Sequence, residues 1–416
     1  MIQEFFNFSC GQTELSATCK QVIGREVIPI YYPPFWHLQE ETLALLQEFL
    51  ETKNEIIIVF GTGTSGVEAC LNSVLEPGDR FLVPRNGMFG EIMRVMVEVV
   101  GAEPVLVDFR IGQPVDPTVL ETILDQEKNI RGIGLVHSET STGVANPVLE
   151  VGKLAQERGL LYVVDAVSSF GSEELKVDDW GIDLCITNGQ KCFGAPQGNT
   201  LVSVSPRAWE VINSRNTKIP GFYMNLKACK DYLSMARIEA KNWEARANKY
   251  SFELEDAPHP ASPSYVILQG LWASLKQVKG EGLDNFINRH RMAGRAVRAA
   301  VRAMGLEYMC RDDRFADNAV TAVFLPGDIQ DYRFRRHMFE TYGVVLGDAN
   351  MMSWEIYTSQ LGRDYIRIGT MGETARFHKI LYALFSFGMA LRDLGVGVDV
   401  QAATNEFKRS FEEQRA

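Results

Sequence analysis

The sequence predicts an α/β fold: a large domain with a mainly parallel central sheet covered by helices, then a smaller α+β C-terminal domain. Three observations predict it. From residue 55 onward, short apolar runs alternate with helical stretches, the rhythm that builds a parallel sheet through βαβ crossovers. Turns rich in glycine or small polar residues follow the apolar runs ending at Phe60 and Asp165, where such sheets bind their ligands. Near residue 282 the composition shifts to an arginine-bearing helix and a second set of strands and helices. A chain of 416 residues suits two domains. The expected divisions are an N-terminal arm at 1–14, a large domain at 15–281 and a small domain at 282–416.

Taken in order, the arm is short, polar and aromatic. Ile28-Pro-Ile-Tyr-Tyr-Pro-Pro-Phe-Trp36 reads as a loop, because its prolines remove backbone donors and resist a regular helix. Leu43, Leu45, Leu46, Phe49 and Leu50 fall at helical spacing and predict an amphipathic helix over 38–50. Strands are expected at 55–60, 81–84, 104–108, 130–137, 160–165, 183–187 and 200–204. Helices at 64–75, 90–100, 117–126 and 147–158 separate the earlier ones, with Gly101 and Gly159 closing two of them. Within 207–258, which has no clear rhythm, the polar stretch 227–249 reads as surface helix and loop, and 262–279 reads as a helix after a proline-rich entry. The next helix carries Arg289, Arg291, Arg295, Arg298 and Arg302, which read as a solvated face. Strands near 319–325, 343–346 and 365–368 alternate with helices at 330–341 and 373–395, before a charged tail helix.

Composition narrows the function. With 46% hydrophobic and 23% charged residues, the chain has the make-up of a globular protein with a large core. A net charge of −11 argues against a nucleic-acid partner. Seven cysteines, an odd count without C-x-x-C spacing, predict reduced thiols rather than a disulfide frame or zinc site. The six histidines show no HExxH spacing, so no metal site is expected, and no G-x-S-x-G elbow occurs. No stretch reaches the ~18 apolar residues of a membrane span. The N-terminus lacks a basic leader region, and a cytoplasmic enzyme without membrane contact is expected.

The chemistry gathers on a few residues. Lys191 sits in a Gly/Pro-rich loop among Cys192, Phe193, Ala195 and Pro196. Such shelter lowers a lysine pKa and makes the amine nucleophilic. Asp165 ends an apolar strand 26 residues upstream, about one β-loop-β step away. Gly61-Thr-Gly-Thr-Ser-Gly66 follows a strand and opens a helix, where backbone N–H groups and the helix dipole hold a phosphate. Its G-x-G-x-x-G spacing also matches a dinucleotide fingerprint, but the second strand ends in Arg85-Asn86 rather than the acid that motif needs. A monophosphate cup is the favoured reading, and a nicotinamide-dependent oxidoreductase the remote alternative. Together these groups suit pyridoxal 5′-phosphate (PLP), with Lys191 as its Schiff-base partner. Asp165 would hold the pyridine nitrogen and favour the electron-sink form of the cofactor.

His137-Ser-Glu-Thr-Ser-Thr-Gly-Val144, Val163-Val-Asp165-Ala-Val-Ser-Ser-Phe-Gly171 and Asn188-Gly-Gln-Lys191-Cys-Phe-Gly-Ala-Pro-Gln-Gly198 resemble the motifs of class V aminotransferases. The resemblance is to fold-type I PLP enzymes of the alanine/serine–glyoxylate and pyridoxamine–pyruvate aminotransferase group, and covers about residues 50–390. It implies amino transfer from an amino acid or small amine to a small 2-oxo acid, glyoxylate or pyruvate. It also implies that Lys191 and Asp165 are catalytic, and that Thr62, Gly63, Thr64 and Gln190 bind the phosphate. By the same likeness Thr140 lies beside the cofactor ring, Phe89 stacks on it, and Arg367 binds the substrate carboxylate, as a guanidinium does bidentately. A segment containing His259 and Ser262 would close the phosphate site of a neighbouring subunit, which implies a homodimer with shared active sites. Cys10-Gly-Gln-Thr13 and Tyr31–Trp36 depart from the relatives' substrate-facing segments. A PLP-dependent lyase or desulfurase is the enzyme alternative, with Cys310 as its small-domain cysteine.

Overall fold

The computed structural model describes residues 4–30, 32–230, 263–349 and 361–413. The chain begins with strand β1 (Phe6–Phe8) and the short helix α1 (Ala17–Val22), capped by Ser16 through the Cys19 N–H. Helix α2 runs Pro33–Phe49, with prolines in its first turn. This corrects the expected loop through Trp36. Proline is excluded from a helix interior, but in the first turn its missing N–H has no intrahelical acceptor to lose. The indole of Trp36 donates to Ile30 O at 2.6 Å and fixes the entry.

The sheet then forms in the predicted rhythm: β2 (Glu55–Val59), α3 (Gly63–Val74), β3 (Arg80–Arg85), α4 (Met88–Val99), β4 (Glu103–Asp108), α5 (Pro117–Gln126) and β5 (Ile130–Val136). A two-stranded hairpin, β6 (Ser138–Glu139) and β7 (Val144–Ala145), precedes α6 (Val148–Glu157). Next come β8 (Leu161–Asp165), β9 (Leu184–Asn188), β10 (Thr200–Val204) and α7 (Pro206–Asn213). Seven strands make one sheet in the order β2-β10-β9-β8-β5-β3-β4. Strand β10 is antiparallel to both its neighbours, and the remaining pairs are parallel. β2, β8 and β9 therefore run the same way, and their carboxyl ends share one edge of the sheet. Apolar clusters cover both faces. Ile57, Val83, Val163 and Ile186 face one, and Ile58, Leu82, Val164 and Cys185 the other.

Helix α8 (Tyr265–Glu281) packs on α1 and α2, and α9 (Leu283–Ala303) follows it. The C-terminal elements are β11 (Val320–Phe324), α10 (Asp331–Tyr342), β12 (Val344–Leu346), β13 (Tyr365–Gly369), α11 (Phe377–Asp393) and α12 (Val400–Glu413). Their own core includes Val297, Val323, Phe334, Phe387 and Phe407, and Phe8 of the arm joins it. One expectation fails on α9: Arg298 is buried rather than solvated, and its Nη1 donates to Asp317 O at 2.9 Å. Arginine spacing alone did not show that α9 turns one arginine inward against the loop before β11.

Candidate active site

A cavity of about 260 Å³ opens at the shared edge, lined by Thr62, Gly63, Thr64, Phe89, Asp165, Gln190 and Lys191 among others. Seven of the residues singled out in the sequence are thus brought to one place by four elements. Asp165 is the last residue of β8, and Lys191 lies three residues beyond β9, the adjacent parallel strand. Thr62 precedes α3 in an extended conformation and makes no side-chain cap. The first N–H groups of a helix lack intrahelical acceptors, so this terminus faces the cavity with donors and a positive dipole end. Helix α3 approaches the sheet closely, because a Cβ on Gly66 would meet Thr200 Cγ2 at 2.2 Å.

The lysine loop is tied to itself and braced from behind. Gly194 N donates to Lys191 O at 3.1 Å, and Ala195 N to Gly189 O at 2.8 Å. Phe193 stacks among Phe170, Phe286 and Phe49 at 4.4, 5.4 and 6.0 Å between ring centroids. Lys191 is buried, and its Nζ donates to the backbone carbonyl of Cys10. Burial holds the amine below the usual lysine range, and the Arg367 guanidinium acts in the same direction. Asp165 accepts from Val167 N at 3.0 Å. Burial pushes its carboxyl up to about 6, against the lowering effect of that N–H and of Lys191.

Phe89 lies in the first turn of α4, which Glu139 holds in place. Glu139 Oε2 accepts from Phe89 N at 3.0 Å and Gly90 N at 3.2 Å, and its other oxygen from the Ser141 hydroxyl. Burial pushes Glu139 up to about 7. The acid of the His137-to-Val144 stretch is thus a helix cap from a distant segment. Its position between two hydroxyl residues was the only signal for it in the sequence.

Two expected residues sit differently. Thr140 does not line the cavity. Strand β6 ends at Glu139, so Thr140 falls in the hairpin turn, fully buried with its Oγ1 unpartnered among the described residues. Ser138, two residues earlier, lines the cavity instead, and its hydroxyl donates to Asp317. Arg367, on β13, is buried just outside the lining, where Nε donates to Asp348 O at 2.8 Å and Nη2 to Asp348 Oδ1 at 3.1 Å. Its Nη1 donates to Thr140 O at 3.4 Å. His259, Ser262 and Tyr31 lie outside the described residues. Cys310, the desulfurase candidate, is buried beside Val144 and Ala316, away from the cavity lining. Its thiol is pushed up to about 11 by burial. Gln12 and Gln197, joined at 3.2 Å, also line the cavity; Gln12 belongs to the Cys10-Gly-Gln-Thr13 segment expected at the substrate, whereas no role was expected of Gln197.

The comparisons with known proteins agree with this geometry. The family description "Aminotransferase class-V" matches residues 35–241. An uncharacterized aminotransferase of Methanocaldococcus jannaschii is 31% identical over 92% of this chain and 90% of its own. The chain belongs to the class-V aminotransferases. Among solved structures, the ureidoglycine–glyoxylate aminotransferase of Bacillus subtilis superposes with a TM-score of 0.87 at 28% identity, covering 99% of both chains. The pyridoxamine–pyruvate aminotransferase of Mesorhizobium loti gives 0.88 at 25% identity, covering 99% of this chain and 98% of that one. The fold is therefore fold-type I, and as a class-V aminotransferase this transaminase takes pyridoxal 5′-phosphate as its cofactor. The residues present fit that group. The α3 terminus supplies phosphate donors, and an amine and a carboxyl share the cavity wall.

Proposed function

We propose that this aminotransferase moves an amino group from an amino acid or small amine to a small 2-oxo acid, glyoxylate or pyruvate, acting through Lys191. The observation that carries the proposal is the meeting of Lys191, Asp165 and the Thr62–Thr64 helix terminus in one cavity. Relatives named for glyoxylate or pyruvate transfer support the choice of acceptor. When bound, PLP supplies an electron sink for the carbanion that forms at the substrate's Cα.

The chain's own groups do the rest. Thr62, Gly63 and Thr64 would bind the phosphate with N–H and hydroxyl donors, and the Gln190 side-chain amide would add a further contact. Asp165 would be the charge partner of the ring nitrogen, and a cation there would favour the ionised form of its raised carboxyl. Phe89 would cover a ring face. Lys191 would hold the cofactor through its amine, and its Nζ is the group that would take the proton from the substrate's Cα as general base. Burial lowers the lysine pKa, which favours the neutral amine that a base needs. Arg367 orients the substrate carboxylate by exchanging part of its Asp348 pairing for the substrate.

Support for a shared dimeric site comes from the cavity's surroundings. Phe222 and Tyr223 are exposed, and the Tyr223 hydroxyl bonds to Phe60 O just before the phosphate turn. His259 and Ser262 would reach a neighbouring copy's phosphate site. The proposed division is an arm at 1–14, a large domain at 15–281 and a small domain at 282–416, and the core around Val297, Phe334 and Phe387 supports the last of these. A cytoplasmic location completes the proposal.

A half-reaction screen tests it. The PLP-loaded protein should absorb near ~420 nm through its lysine linkage. That band should fade with a suitable amino donor and return on adding glyoxylate or pyruvate. A protein that takes up PLP but whose band no oxo acid restores would contradict the acceptor assignment.

A further inference from the structure

The arm does more than lead into the fold: it joins the lysine loop to the strand that carries Arg367. At one end, β1 pairs in parallel with β12, from Phe6 opposite Val344 to Phe8 opposite Leu346. The next residue of that strand, Gly347, bridges to Arg367 through 2.8 and 3.0 Å backbone bonds. The arm then crosses β13 so closely that a Cβ on Gly369 would meet Ser9 O at 2.5 Å. At its other end, Thr13 Oγ1 lies 2.7 Å from Lys191 O and 2.9 Å from Gln190 O. One hydroxyl proton is thus shared between the carbonyls of both residues. Ser16 N donates to Gly194 O at 2.8 Å. Gly194 has φ +59, and a Cβ there would meet Glu14 O at 2.6 Å, so the arm lies directly on the loop backbone. Between these anchors, the Cys10 carbonyl accepts from Lys191 Nζ.

We propose that residues 6–14 form a positioning strap for the catalytic lysine. Thr13 fixes the Gln190–Lys191 backbone, and the Cys10 carbonyl is the acceptor on which Nζ rests whenever it is not covalently engaged. The proposal rests on the reading of Lys191 as the acid/base of amino transfer. Its physical content is simple. A lysine side chain has four rotatable bonds, and an amine released from its linkage must return a proton to a defined carbon. The carbonyl gives that amine one resting direction, and the Thr13 hydroxyl keeps the loop from shifting as it swings. Because the same strap is hydrogen-bonded beside Arg367, the carboxylate site and the amine are held in one register.

The test compares Thr13→Val with Thr13→Ser in the PLP-loaded enzyme. Both variants keep the β1 pairing and the Ser16 anchor, so the lysine-linked absorbance band should form in each. In Thr13→Val, kcat should fall roughly 10- to 100-fold from misplacement of the amine. KM for the oxo acid should stay within about twofold, as for a loss felt only in the chemical step. The pH midpoint of the band should move by about half a unit or more, because the environment of the amine changes. Thr13→Ser, which keeps the hydroxyl, should restore both. If Thr13→Val does not fold, Thr13→Ala is read in the same way. Unchanged kcat and midpoint in the hydroxyl-less variant would overturn the strap, as would a serine variant no better than valine. Failure of the underlying reading looks different: the wild-type enzyme would form no lysine-linked band.

Discussion

At the scale of single residues, the site is a set of groups whose ordinary chemistry is altered by burial. Asp165 is pushed up to about 6 because burial shelters its carboxylate, and the Val167 N–H and Lys191 offset only part of that cost. Asp165→Asn should still load PLP on Lys191 but lose the charge partner of the ring nitrogen. Its kcat should drop on the order of 10²- to 10³-fold in steady-state assays. Arg367 separates two interpretations. If it serves only as a strand arginine paired with Asp348, Arg367→Lys should leave KM for the oxo acid unchanged. If it binds the carboxylate, KM should rise roughly 10- to 100-fold, since a lysine cannot replace the bidentate fork. The meeting of Lys191, Asp165 and the glycine turn at 61–66 was legible in the sequence because each lies at the carboxyl end of a strand in a mainly parallel sheet. Ser138 and Glu139 were not. Their roles depend on where a hairpin turns and on which distant helix terminus it meets, and neither is written in local spacing.

At the scale of elements, the strand and helix order was legible almost throughout, since alternation of buried runs and helical stretches is a local signal. The misreadings share a physical cause: position within an element outweighs residue type. By residue type Pro33 and Pro34 break a helix, yet they occupy the first turn, where proline costs nothing. By its spacing Arg298 belongs to a solvated face, yet it alone of its row points at the Asp317 backbone. Helix α3 offers a quantitative check of packing. A methyl added at Gly66 would strike Thr200 Cγ2 and Ile186 Cγ2. Gly66→Ala should therefore lower unfolding free energy by about 1–3 kcal/mol in urea titrations, the usual cost of overpacking. An unchanged midpoint would mean that α3 can slide away from the sheet.

At the scale of the whole molecule, buried ionisable groups tie stability to pH. Burial raises Glu139 to about 7 and, with the Asp317 carboxylate nearby, Glu173 to about 8. It also lowers His137 to about 4 and His290 to about 3. A carboxyl with a raised folded-state pKa binds more protons folded than unfolded, so its contribution is lost as pH rises through that value. A histidine with a lowered pKa works the other way, and its effect is complete once pH exceeds the unfolded value of 6.5. Between about 6.5 and 8 only the carboxyls still act. Tm should therefore decline across that window, and Glu173→Gln should flatten the decline in thermal melts. Sedimentation should find two copies of the 46.6 kDa chain together, and a monomer with full activity would contradict the shared site. The central claim, that Lys191 carries the cofactor and the amino transfer, has one direct measurement. The PLP-loaded enzyme is reduced with borohydride, digested, and its peptides mapped by mass spectrometry. The cofactor mass should appear on the peptide containing Lys191, and the Lys191→Ala protein should yield no labelled peptide and no turnover. Label on another lysine, or activity surviving in Lys191→Ala, would contradict it.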